Sequence, residues 1–314
     1  MDQDLTPGVH SFRPIDDPLA NWPKDAPLPI RLVEPGFAPA SAAPKKVANW
    51  DYYDGAVVMV GVSDGETYTI EGSGVMVAPG LVLSATHVLR HHADAITART
   101  LGVYCIGVRP GGQADLWAVR RSLRYAEDHS DIMFLGVELN SEVSDDWHVS
   151  CLPISTRAPR KGEPLTIVGY RFDRQEAELL PLINGVRAVG RGDLYIAVGE
   201  VETIYYPQRD SVLAPFPAIE IKCGSLGSMS GGAVIDEGGA LVGIISRGWG
   251  DGGPPSTAAW IIHALMFDVT LPWPPGAYQP NTPLLDLPHE QLKIYGRDKV
   301  RLVGPLDIEY TAWQ

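Results

Sequence analysis

From about residue 55 onward the chain reads as short apolar or alternating runs separated by turn signals. A first set comprises Ala56–Val62, Tyr68–Val77, Leu81–Ser84, Ile96–Val108, Leu116–Leu123 and Ile132–Val137. Ser63-Asp64-Gly65, Ala78-Pro79-Gly80 and Pro110-Gly111-Gly112 punctuate it. Runs of this kind bounded by Gly, Pro and Asp predict strands, because successive side chains on a strand face opposite sides of the sheet. Pro153–Gly162 then reads as a linker. A second set follows: Pro164–Phe172, Glu178–Gly185, Ala188–Val201, Ala218–Lys222, Ala233–Ile235 and Leu241–Ser246. Asp236-Glu237-Gly238-Gly239 has the composition of a hairpin turn between the last two. About six strands on each side of a linker predicts an all-β protein of two packed six-stranded antiparallel β-barrels. The first barrel covers about residues 55–150 and the second about 163–268.

The flanks differ in character. Residues 1–49 are rich in proline and poor in apolar clusters, which predicts an extended N-terminal arm. Residues 50–270 hold the two barrels, and 271–314 form a C-terminal tail opening with Leu271-Pro-Trp-Pro-Pro-Gly. That tail is expected either to dock on a barrel or to serve as a partner-binding or autoinhibitory element.

Three short motifs carry chemistry. Ser84-Ala-Thr-His-Val88 offers His87, Ser130-Asp-Ile-Met-Phe-Leu135 offers Asp131, and Gly227-Ser-Met-Ser-Gly-Gly232 offers Ser230. The order His, Asp, Ser is one of the known triad orders, and separations of 44 and 99 residues let each member sit on its own loop. Each motif has an ordinary structural reading alone; the three together, in order, point to nucleophilic catalysis. A serine hydroxyl attacks effectively only when an adjacent base takes its proton. His87 suits that base and, in turn, the acid that protonates a leaving amine. Asp131 suits the partner that fixes the imidazole tautomer.

These contexts resemble the chymotrypsin/trypsin superfamily of serine endopeptidases. The resemblance implies the double barrel, with His87 and Asp131 from the first barrel and Ser230 from the second. It implies an oxyanion hole from the backbone N–H groups of Ser228 and Ser230, and a pocket floor at Gly224 and Ser225. It also implies that Ser246-Arg247-Gly248 pairs with substrate backbone, that Ser246 hydrogen-bonds Asp131, and that Gly248 leaves the pocket wall open. A floor without an acid predicts a neutral or apolar residue before the scissile bond, with Arg247, Glu220 or Asp251 able to alter that. Two positions depart from the family. Ser228 stands where glycine is usual, and a positive φ there costs a serine about 1 kcal/mol or more. The residues leave two states open: a turn that avoids this cost with a carbonyl facing the hole, or one that keeps both donors inward. Met229 replaces the aspartate that pairs with a newly cut N-terminus, so activation by that ion pair is not expected.

Other chemistry is disfavoured. Gly72-Ser73-Gly74 lacks the third glycine and the following helix of a dinucleotide fingerprint, and reads instead as a close-packed stretch of the strand leading to His87. His91 and His92 lack metal-ligand spacing, and no metal or other cofactor is expected. A net charge of −13 and a pI near 5 argue against nucleic acid or an anionic membrane as partner. No apolar run reaches transmembrane length, and the first residues lack the character of a secretory signal. Cys105, Cys151 and Cys223 are an odd set, and Val88 stands where secreted relatives carry a half-cystine, which favours a reducing, cytoplasmic compartment. The expected activity is that of a cytoplasmic serine endopeptidase acting on protein or peptide substrates, regulated by a protein partner or by substrate. The alternatives are a catalytically silent trypsin-like fold used as a peptide-binding or scaffold module, and another acyl hydrolase.

Overall fold

The computed structural model describes residues 27–33, 35, 41–47, 53–110, 114–124, 130–173, 179–181, 187–189, 191–249, 252–304 and 307–310. Most of the N-terminal arm, Asp251 and the last four residues lie outside the described residues.

The expected barrels close as rings of hydrogen-bonded strands. In the first, Val57–Ser63 pairs with Thr67–Ala78, which pairs with Leu81–Ala85, then Ile132–Leu139, Ala114–Arg124 and Gly102–Val108, which returns to Val57–Ser63. In the second, Ala233–Ile235 pairs with Pro164–Asp173, followed by Arg191–Tyr205, Ala218–Ile221, Gly253–Trp260 and Leu241–Trp249, which returns to Ala233–Ile235. All these pairings are antiparallel, and closure leaves neither ring with an edge strand inside the ladder. Apolar residues from both barrels merge into one buried core. Val57–Ser63 and Leu81–Ala85 are buried at every position, which explains why they read as continuous apolar runs rather than alternations.

Three strand assignments needed correction. Only Gly102–Val108 of the expected Ile96–Val108 is strand, and Ala93–Thr97 is a short helix, in keeping with its alanines and an Asp in the first turn. Within the expected Glu178–Gly185, Leu179–Pro181 pairs with Arg187–Val189, and that strand runs parallel to Thr67–Ala78. It therefore extends the first barrel's sheet instead of closing the second. The sixth strand of the second barrel is Gly253–Trp260. Pro254 and Pro255 hid it, since proline cannot donate to a ladder, but both sit at its start, ahead of its pairing with Ala218–Ile221.

The linker and tail lock onto each other. Ile154–Ser155 pairs in parallel with Ile294–Tyr295, and Thr156 Oγ1 donates to the carbonyl of Gly296 at 2.9 Å. Trp273 packs edge-on against Trp117 with ring centroids 5.3 Å apart, and Tyr278 Oη donates to the Pro79 carbonyl at 2.7 Å. The described tail thus grips the first barrel and the linker together. Within the linker, Arg157 bonds Glu163 with both terminal nitrogens and reaches Asp236 on the hairpin turn. The hydrogen bonds from Arg157 hold the Glu163 carboxyl below its usual pKa despite partial burial.

A carboxylate whose folded pKa is depressed stabilises the fold above its unfolded pKa, and the effect is lost as pH falls through the folded value. Glu163→Gln is expected to lower Tm by about 1–2 °C near pH 7, the size of a ~1 kcal/mol loss in a chain of this length. Thermal melts from about pH 7 down to about pH 3 check this, with the gap between variant and wild type closing as the carboxylate titrates.

Candidate active site

Strand pairing brings His87 and Asp131 together. His87 lies in the single turn Thr86–Val88 after Leu81–Ala85, and Asp131 immediately precedes Ile132–Leu139, the neighbouring strand. Ala85 pairs with Ile132, and the Thr86 N–H donates to the Asp131 carbonyl at 2.7 Å. The Asp131 side chain, only 7% exposed, accepts from His87 Nδ1 at 2.8 Å and from the His87 backbone N–H at 3.3 Å. An ionised carboxylate only accepts, so Nδ1 donates and Nε2 keeps its basic lone pair. Ser246, from the other barrel, donates its hydroxyl to the same Asp131 oxygen at 2.5 Å.

Ser230 arrives from the second barrel on a turn stitched at several points. Gly231 N–H donates to the Ile245 carbonyl at 2.8 Å, and Ile245 N–H donates to Gly232 at 2.9 Å. Gly231 has φ +86, and a Cβ there would fall 2.0 Å from the Ser73 carbonyl oxygen, so only glycine fits. The Ser230 hydroxyl donates to the Ser246 carbonyl at 3.4 Å, not to His87. Ser246 therefore touches both sides of the site: its side chain holds Asp131 and its carbonyl holds Ser230.

The turn before Ser230 has a defined type. Met229 N–H donates to the Leu226 carbonyl at 3.2 Å, Gly227 is absent from the positive-φ residues, and Ser228 has φ +68. Negative then positive φ at the two central positions is the sign pattern of a type II turn, the form that usually carries glycine second. Of the two states the sequence left open, Ser228 adopts the glycine-like dihedral and bears its cost, about 1–2 kcal/mol. Among the described residues neither the Ser228 nor the Ser230 N–H has a hydrogen-bond acceptor. Met229, between them, is fully buried with its sulfur near the Leu226 N–H at 3.3 Å. A thioether here fills space and makes no ion pair.

The remaining sequence-predicted residues line the neighbouring second-barrel segments. Ser225 is buried, and a Cβ at Gly248 would fall 2.1 Å from its hydroxyl, so the neutral alcohol of Ser225 fills the space that a side chain at Gly248 would take. Arg247 is exposed, beside a bulge in the pairing of Leu241–Trp249 with Gly253–Trp260. Glu220 is committed elsewhere, accepting from Arg209 Nε at 2.9 Å. His92 faces Glu71 at 3.2 Å, while His91 is exposed. No cluster of metal-ligating side chains occurs among the described residues, and no described helix is long and apolar enough to cross a membrane.

Two features were missed in the sequence. Ser73 is fully buried, and its hydroxyl donates to the Ser228 carbonyl at 3.0 Å; the Gly-Ser-Gly spacing signalled only close packing. The second is the segment 41–47, which carried no apolar pattern at all. It lies along the second barrel: the Ser41 carbonyl accepts from Val198 N–H at 2.8 Å, Lys45–Lys46 pairs with Arg191–Tyr205, and Lys46 Nζ is 2.9 Å from Asp193. The Ala42 carbonyl accepts the N–H of Gly224, the expected pocket floor, at 2.8 Å.

Residues 72–244, more than half of the 314-residue chain, match the family model described as the trypsin-like peptidase domain. The chain belongs to that family. No curated protein matches it. Among solved structures of similar fold, Rv3671c from M. tuberculosis H37Rv in an inactive form is 14% identical, with 66% of this chain and 82% of that one covered and a TM-score of 0.41. Deg5 is 14% identical, with coverages of 66% and 84% and a TM-score of 0.45. The HtrA-type protease AlgW with a decapeptide is 14% identical, with coverages of 68% and 63% and a TM-score of 0.43. In this trypsin-like domain the proposed pocket floor rests on an internal N-terminal segment. Replacing residues 41–46 by a Gly/Ser sequence of equal length is expected to lower kcat/KM for peptide substrates by about tenfold or more, the size of a disordered binding element. Hydrogen exchange at Gly224 checks the cause, and its amide should lose protection in the variant.

Proposed function

We propose that the chain is a serine endopeptidase that works through an acyl-enzyme on Ser230. The observation that carries this reading is Asp131 Oδ2 accepting from His87 Nδ1 at 2.8 Å while Ser246 couples that carboxylate to the Ser230 turn. On substrate binding the Ser230 hydroxyl turns from the Ser246 carbonyl toward His87 Nε2. His87 takes its proton as Oγ attacks the peptide carbonyl. The oxyanion is received by the N–H groups of Ser228 and Ser230, both uncommitted among the described residues. As the C–N bond breaks, His87 returns the proton to the leaving amine. A water then adds to the acyl-enzyme with His87 as base, releasing the carboxylate product and restoring Ser230.

Substrate backbone adds antiparallel to Ser246-Arg247-Gly248, and the side chain before the cut enters beside Gly224, Ser225 and Gly248. The Ser225 hydroxyl and the engagement of Glu220 by Arg209 favour an uncharged residue there. Three free, buried cysteines favour a reducing, cytoplasmic compartment; burial pushes the Cys223 thiol up to about 12. A protein partner or the substrate itself sets the rate by driving the Ser230 rotation. The second reading, a silent peptide-binding module, draws on the same hydroxyl being bonded to Ser246 instead of His87.

Fluorophosphonate labelling separates the two. Wild type is expected to label on Ser230; Ser230→Ala and His87→Ala should lose labelling and proteolysis with the fold intact, because triad members act as a unit. Cleavage within about tenfold of wild type in either variant contradicts the assignment. In a peptide-library profile, Lys and Arg before the cut should be disfavoured by about tenfold or more. A clean preference for Arg would show that an acid reaches the pocket.

A further inference from the structure

We propose that Ser73 is a positioning residue for catalysis: its buried hydroxyl holds the Ser228–Met229 peptide so that the left-handed turn, and with it the donor geometry of the oxyanion hole, persists. The proposal rests on the peptidase reading above and assigns a part to a residue outside the triad, the hole and the pocket.

Ser73 lies mid-strand in Thr67–Ala78 of the first barrel and is completely buried. Each of its polar groups is committed, two of them to the second barrel. Its N–H donates to the Ser230 carbonyl at 2.8 Å, and its carbonyl accepts from Ser84 Oγ at 2.7 Å. Its hydroxyl accepts the Tyr170 N–H of the second barrel at 2.8 Å and donates to the Ser228 carbonyl at 3.0 Å. The hydroxyl has one proton, and with Tyr170 filling its acceptor side, that proton is aimed at the nucleophile turn. One side chain thus links strands of both barrels to the carbonyl that follows the strained residue.

The need for such a hold comes from Ser228. A glycine at φ +68 would rest there unaided, but a serine is drawn back to negative φ. Relaxation would rotate the peptides on either side of Ser228 and move its N–H away from the Ser230 N–H. The Ser228 carbonyl belongs to the peptide that must turn, so the bond from Ser73 opposes the relaxation directly. Serine at 73 and serine at 228 form a matched pair: the first makes the second tolerable.

This predicts a specific rescue. Ser73→Ala should lower kcat by about tenfold to a hundredfold, within what a misplaced oxyanion donor costs, with KM changed less than about threefold. The affinity for a peptide aldehyde, which needs the hole, should fall in parallel with kcat. Adding Ser228→Gly removes the strain, and the double variant should return to within about threefold of Ser228→Gly alone. Ser73→Thr, which keeps the hydroxyl, should retain more activity than Ser73→Ala. Tm is read throughout, and should Ser73→Ala not fold, Ser73→Cys carries the same comparison. A Ser73→Ala enzyme with kcat near wild type, or a loss that tracks Tm and is not restored by Ser228→Gly, overturns the proposal. A wild type that neither labels nor cleaves would defeat the peptidase reading alone. The hold is then read in the crystal structure of the alanine or cysteine variant, where negative φ at Ser228 supports it and unchanged φ overturns it.

Discussion

A carboxylate taken out of water must be met by donors or lose its charge, and Asp131 is met from both barrels. His87 supplies two donors from the strand next door, and Ser246 supplies a third from across the interface. A buried charge left without such partners costs several kcal/mol, so the two barrels cannot slide apart or shift register here without exposing or neutralising it. Ser246 passes the constraint on, because its carbonyl meets the Ser230 hydroxyl. The site exists only where the two rings meet, and the placement of three chemically important side chains reduces to how one oxygen of Asp131 is satisfied.

The opposite face of the Ser230 turn answers to a second constraint. On the half-buried Ser228 and Ser230 the backbone N–H groups have no acceptor among the described residues. Such groups are what an anionic intermediate needs, and a turn that keeps them free must be held by something other than its own hydrogen bonds. Here the holding groups are Ser73 from the first barrel, Ile245 from the adjoining strand and the buried Met229 side chain. A packed thioether fills the position after Ser228, and the bonds that hold this loop come from the surrounding barrels.

Much of this was readable beforehand, and the failures have physical causes. The motifs around His87, Asp131 and Ser230, the strand runs and the unusual residues at 228 and 229 are local features, and local features survive in sequence. The second barrel's last strand was concealed by Pro254 and Pro255, which count against a strand unless one knows they precede its main pairing. Leu179–Pro181 and Arg187–Val189 look like any other strand pair, and nothing local reveals that they join the first barrel's sheet. Segment 41–47 is held by backbone bonds, one lysine and the packing of Val47, which together leave little apolar signature. Ser73 read as packing because its role depends on partners about a hundred or more residues away in the chain. Contacts that distant are what a single sequence conceals best.

In the proposed mechanism Asp131, His87, Ser230 and the N–H groups of Ser228 and Ser230 converge on one reacting carbonyl. A crystal structure of the protein treated with a peptidyl boronic acid tests it most directly. A tetrahedral adduct on Ser230 Oγ is expected, with one boronate oxygen within about 3 Å of both the Ser228 and Ser230 nitrogens and the His87–Asp131 bond intact. A boronate oxygen pointing to solvent with the Ser228 N–H turned away, or an adduct on another residue, would contradict it.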